Sequence, residues 1–131
     1  MVATCWGTPE QAPFAGLVAQ ALGAQMHTDR DDLLRPFSLS DPQANVALFA
    51  SAGFADVRIT LETRASHFTS FDNDFWEPIE AGGGRLGQAY LALPERAREA
   101  VRREVLGRLP VRTPTEPFSL QHSAWTVVAS A

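Results

Sequence analysis

The stretch R-P-F-S-L-S-D-P-Q-A-N-V-A-L-F-A-S-A-G-F-A-D-V-R-I-T, running from Arg35 to Thr60, constrains the fold more than any other part of this chain. Either Ser40 or Asp41 can serve as N-cap, because a short side-chain oxygen there accepts from the free backbone N–H groups of a first helical turn. Pro42 then sits where its missing N–H costs nothing. The spacing predicts a helix from about Pro42 to Ala52, with Val46, Phe49, Ala50 and Gly53 on one face. Gly53 can take the left-handed conformation that closes a helix, which would bring Phe54 against Phe49. Beyond that turn Val57, Ile59, Leu61, Thr63 and Ala65 alternate with Arg58, Thr60, Glu62 and Arg64, the period of a strand with one buried and one wet face.

The rest of the chain supplies two more strands and further helices. Val2 to Trp6 is a short apolar run ended by Gly7-Thr8-Pro9, and reads as a buried strand. A core strand so close to the first residue leads to the expectation of a missing upstream piece. From Glu10 to Met26, the residues Phe14, Leu17, Val18, Ala21 and Leu22 form the stripe of an amphipathic helix whose end Gly23 should fray. His27, Asp29, Asp31 and Asp32 match no metal-ligand spacing and read as a solvated loop, so no metal is expected. Phe71, Phe75, Trp76 and Ile79 recur at helical spacing, giving a short aromatic-faced helix that either packs in the core or lids an apolar ligand. Gly82, Gly84 and Gly87 match G-x-G-x-x-G, but no strand precedes them and no βαβ frame surrounds them. They read as a hinge between helices rather than a phosphate loop. Pro94 to Leu109 is an amphipathic helix with Ala97, Val101, Val105 and Leu109 inward and i,i+4 pairs Glu99–Arg103 and Glu104–Arg108 outside. Phe118 to Ser130 closes the chain as one long or broken strand whose W-T-V-V-A lacks alternation and should be covered on both faces.

The wet second strand suits a sheet edge and the apolar last strand the centre, antiparallel between the other two. The fold class expected is therefore α/β, about three strands in the order 1-3-2 with four to five helices, in one domain over 1–131 with a helical insertion at 69–117. Its 131 residues and 45% hydrophobic content suit one globular domain. A net charge of −4 argues against nucleic acid and anionic membranes as partners. A single cysteine, Cys5, excludes an internal disulfide, and no apolar run spans a bilayer, so a cytoplasmic location is expected.

Three stretches together resemble the C-terminal part of class I S-adenosylmethionine-dependent methyltransferases, of the branch similar to ubiquinone and menaquinone biosynthesis C-methyltransferases. V-A-T-C-W-G-T-P-E-Q-A-P-F is similar to that family's fifth strand with the loop and helix after it. P-F-S-L-S-D-P-Q-A-N-V-A-L-F-A-S-A-G-F-A-D-V-R-I resembles its helix and sixth strand, and S-A-W-T-V-V-A-S-A its closing seventh strand. The resemblance implies a partial Rossmann-like methyltransferase fold and S-adenosylmethionine as cofactor. It also implies that this chain alone does not bind the cofactor, because the family's glycine-rich loop and acidic ribose ligand have no counterpart in these residues. The implied function is the structural and substrate-side half of a truncated or split enzyme, inactive alone, acting on a small-molecule acceptor. Trp6, Phe14, Phe37, Phe71, Phe75 and Trp76 are the implied acceptor-pocket residues; His67 and His122 are the candidate bases, and no catalytic residue is assigned. The free edge of the first strand leads to an expectation of self-association or of a complementing N-terminal half. A reading of a different class is a non-enzymatic module, derived from a methyltransferase, that binds a small ligand or a protein.

Overall fold

The computed structural model describes residues 1–26 and 30–131, together with the backbone but not the side chain of Arg30. Two of the four residues of the acidic loop, His27 and Asp29, lie outside the described residues. In chain order the elements are β1 (Val2–Trp6), α1 (Pro13–Gln25), α2 (Arg30–Leu34), a 3-10 turn (Arg35–Phe37), α3 (Pro42–Ser51) and β2 (Ala55–Phe68). A π-type turn (Phe71–Trp76), α4 (Glu77–Glu80), α5 (Gly84–Leu91), α6 (Glu95–Arg108) and β3 (Phe118–Ser130) follow. The described residues thus hold six α-helices, more than the four to five expected. The excess comes from short elements: α2 is five residues long, and the aromatic segment forms a π-type turn running straight into α4.

The sheet has the order β1-β3-β2, with β3 antiparallel to both neighbours, so β1 and β2 run parallel to one another. The stretch that organises the chain folds locally as its residues dictate. Asp41 is the N-cap, its carboxylate accepting from the Gln43 N–H at 2.9 Å, and Pro42 opens α3. Gly53 takes φ +87°, the Phe54 N–H donates to the Phe49 carbonyl at 3.1 Å, and the two rings meet edge to face at 5.9 Å. The buried residue of α3 is Asn45, which the apolar stripe does not reveal. Its amide donates to the Leu39 carbonyl at 2.5 Å and approaches the Cys5 sulfur at 3.3 Å, pinning α3 to the sheet.

Because residues paired across an antiparallel ladder share a face, the even-numbered residues of β1, β3 and of β2 from Arg58 onwards lie on one side of the sheet and the odd-numbered ones on the other. On the even side Phe68, Phe118 and Leu120 pack into a helical layer of α1, the π-type turn and α4 to α6. Phe14, Phe75 and Phe118 surround Phe68 at centroid distances of 6.5, 5.2 and 5.0 Å. Val101 and Val105 of α6 and Leu22 of α1 complete this core. On the odd side α3 and the segment before it cover Val127 and Ala129, with the Trp125 indole donating to the Ser40 carbonyl at 2.8 Å.

Several expectations about burial are corrected. Val57 and Ile59 are half-buried, but Leu61, Thr63 and Ala65 are exposed. The reason is length: α3, ten residues and about 15 Å long, cannot cover a fourteen-residue strand of about 48 Å. The W-T-V-V-A run is not covered on both faces either, since Val128 on the even side is 47% exposed. Gly23 is buried within α1 rather than fraying it. Of the three glycines in G-x-G-x-x-G, Gly82 in the turn after α4 and Gly84 at the first position of α5 take positive φ. Gly87 lies inside α5, where a Cβ would stand 2.5 Å from the Gly82 carbonyl carbon. Close packing, not a hinge, accounts for it. Of the two ion pairs expected on α6, Glu104–Arg108 forms at 3.1 Å.

Candidate functional site

A cleft of about 290 Å3 opens where the helical layer leaves the even face of the sheet. The sheet contributes Trp6, the last residue of β1, with Ser66 and Phe68 at the end of β2 and Leu120 and His122 of β3. The first turn of α1 contributes Pro13, Phe14 and Ala15, and Asp74 comes from the π-type turn. The cleft therefore lies at the carboxyl ends of the two parallel strands, the position at which open α/β sheets bind ligands. Its walls are mostly apolar with a few polar groups, the usual make-up of a small-molecule site.

The polar groups are placed by the ladder. Ser66 pairs with Leu120 and Arg64 with His122, which sets the Ser66 hydroxyl diagonally beside the imidazole, 3.3 Å from its Nδ1. His67, one residue on, points to the opposite face and pairs with Ser119 at 2.5 Å, away from the cleft. Asp74 is held by the backbone: its two carboxylate oxygens accept from the Thr69 N–H at 2.8 Å and the Ser70 N–H at 3.2 Å. The Thr69 N–H, first among several hydrogen bonds, keeps this carboxyl below the usual Asp range and so ionised.

A second cleft of about 300 Å3 shares Phe14 and Ala15 with the first and is lined further by Leu33, Phe37, Ile79 and Arg85. Of the residues implied as pocket lining, Trp6 and Phe14 meet in the first cleft, and Phe37 stands with Phe14 in the second. Phe71, Phe75 and Trp76 line neither; all three are buried in the core. Phe71 stacks on Phe75 and Trp76 at 5.7 and 5.3 Å, and Trp76 meets Tyr90 edge to face while its indole donates to Glu80. A π-type turn winds these rings inward, so they fill the core and do not line the cleft. Ser66, Phe68, Asp74 and Leu120 were not singled out from sequence. Phe68 and Leu120 could have been, because strand alternation and pairing place them on one face with His122, which the sequence did single out.

Among the described residues no three His, Cys, Asp or Glu side chains converge as metal ligands, and no helix is long and apolar enough to cross a membrane. No known protein family matches this chain, and neither a curated protein nor a solved structure matches it. The chain is an α/β domain with a three-stranded antiparallel sheet in the order 1-3-2 and a cleft at the carboxyl ends of its parallel strands.

Proposed function

We propose that these residues form the substrate-side part of a class I S-adenosylmethionine-dependent methyltransferase with a Rossmann-like sheet, and that the cleft at Trp6, Phe14, Phe68 and His122 receives the methyl acceptor. The observation that carries this reading is β3, which returns after a helical segment to lie antiparallel between two parallel strands. That uncommon arrangement is the one the resemblance implies. The location of the cleft also supports it, since Trp6 closes the strand that resembles the family's fifth. The donor's ribose and methionine ends require a carboxylate and a close-approach glycine turn after a strand, and the glycine turn here follows α4 instead. In-line approach of acceptor and methyl carbon, the source of most of the rate in such a transfer, then depends on a donor-binding part outside these residues.

The partner reading has its own support. The Met1 terminal ammonium donates to the Ala129 carbonyl at 2.6 Å and the Ala129 N–H to the Met1 carbonyl at 3.0 Å, so by alternation Ala3 and Cys5 also bond to β3. The N–H and C=O groups of Val2, Thr4 and Trp6 therefore face the open edge, where a donor-binding part can add a strand.

The test is transfer of a labelled methyl group from S-adenosylmethionine to small-molecule acceptors by the natural polypeptide that carries these residues. Transfer that drops at least about tenfold with Trp6→Ala supports the reading. Absence of both donor binding and transfer in that polypeptide sinks it. The 131 residues alone are expected to bind the donor no more tightly than about a millimolar by calorimetry.

A further inference from the structure

The cleft has an electronic character that its apolar lining conceals. Three aromatic side chains from three elements line it, Trp6 of β1, Phe14 of α1 and Phe68 of β2, together with the carboxylate of Asp74. Ring faces carry negative potential, and Asp74 adds a full negative charge whose oxygens keep further lone pairs beyond those engaged by Thr69 and Ser70. Among the described residues no Arg lines this cleft, and the basic group that does, His122, is engaged with Ser66. Elsewhere the chain satisfies such aromatic and acidic surroundings with its own arginines. Arg102 lies 5.1 Å from the Phe71 ring centroid while also pairing with Asp72, and Arg98 lies 6.0 Å from that of Tyr90. At the cleft the rings and the acid are present with no arginine among the described residues. An anionic ligand would meet Asp74 with no opposing charge, and a neutral apolar ligand would use only the walls.

We propose that this cleft binds a small organic cation of the alkylammonium class, its methylene or methyl groups against Trp6, Phe14 and Phe68 and its charge opposite Asp74. Alkylated ammonium is weakly hydrated for a cation and is the ligand that aromatic cages recognise. The volume of about 290 Å3 accommodates such an ion with a short substituent. The proposal rests on the cleft being the acceptor site: the ion it holds is either the methylated product or the protonated form of an amine acceptor. That acceptor gives its proton to solvent before the nitrogen lone pair takes the methyl group and the donor sulfonium leaves as a thioether. Binding requires no methyl donor, so its outcome is separable from that of the transfer assay.

Choline is the probe, and its neutral isostere 3,3-dimethylbutan-1-ol is the control. Both are titrated into the 131-residue chain while the indole N–H of Trp6 and the amides of Phe14 and Phe68 are followed by nuclear magnetic resonance. Saturable shifts confined to the cleft are expected for choline, with a dissociation constant on the order of a millimolar and at least about tenfold weaker binding of the alcohol. Trp6→Leu, at a position already 44% exposed, and Asp74→Asn are each expected to weaken choline about fivefold. Equal binding of choline and alcohol would overturn the proposal, as would no saturable shift up to about 50 mM choline. Unchanged choline affinity in both variants, with the rest of the spectrum preserved, would overturn it too.

Discussion

At its first residues β3 turns Phe118 and Leu120 into an aromatic core, whereas at its last residues the same even side carries Val128, 47% exposed, beside Val2, 68% exposed. The side-chain alternation is the same at both ends, but the cover is not. The helical layer of α1, the π-type turn and α4 to α6 rests on the first end alone and stops at the cleft. The edges differ in the same sense. β2 carries Arg58, Glu62 and Arg64 and a register irregularity between Ala55 and Arg58, with Asp56 at φ +49°, devices that discourage further pairing. β1, V-A-T-C-W, carries no charge and no bulge. The difference teaches that the β2 edge is protected against further pairing whereas the β1 edge, beside the open face, is not.

The largest expected effect tests the closed end. Phe75→Ala removes a ring that contacts Phe14, Phe68, Phe71 and Phe118, and should cost about 3–5 kcal/mol in chemical unfolding, typical of a large aromatic deleted from a core. A loss comparable to a surface substitution would mean that the closed end is not the stabilising one. A smaller effect concerns the turn that carries those rings. The folded-state pKa of Asp74 lies below its ordinary value, so its contribution is present above an unfolded pKa of about 3.9 and is lost as pH falls through the folded value. Acid unfolding below about pH 4 should therefore be steeper in the natural sequence than in Asp74→Asn, and parallel curves would remove this role. The smallest effect is expected at the open end, where Val128→Thr should change stability by no more than about 0.5 kcal/mol in the same unfolding measurement. A loss of several kcal/mol there would break the comparison, because it would require Val128 to be packed.

What sequence reveals and what it conceals follow the range of the forces involved. The Asp41 cap, Pro42, Gly53 and the Phe49–Phe54 contact were legible because each acts within a few residues. Strand order was legible from the charge along β2 and the apolar run in β3. Coverage was not: whether Leu61 or Val128 is buried depends on how far a ten-residue helix reaches along a sheet. Phe71, Phe75 and Trp76 have the same periodicity whether they line a cleft or fill a core, and only the inward winding of their turn decides it. The Ser66–His122 pair joins residues 56 apart and needed the strand register. Asn45, a polar residue on an apolar helix, gave no signal until its partners Leu39 and Cys5 were in place.

The central claim, that β1 is an edge meant to be continued beside an acceptor cleft, is tested most directly by amide hydrogen exchange along β1. In the 131 residues alone, the amides of Ala3 and Cys5 should be protected by β3, and those of Val2, Thr4 and Trp6 should exchange freely. With the proposed donor-binding part paired to β1, in the same polypeptide or as a separate chain, all five should be protected. Free exchange at Val2, Thr4 and Trp6 in an assembly that transfers methyl groups would contradict the claim.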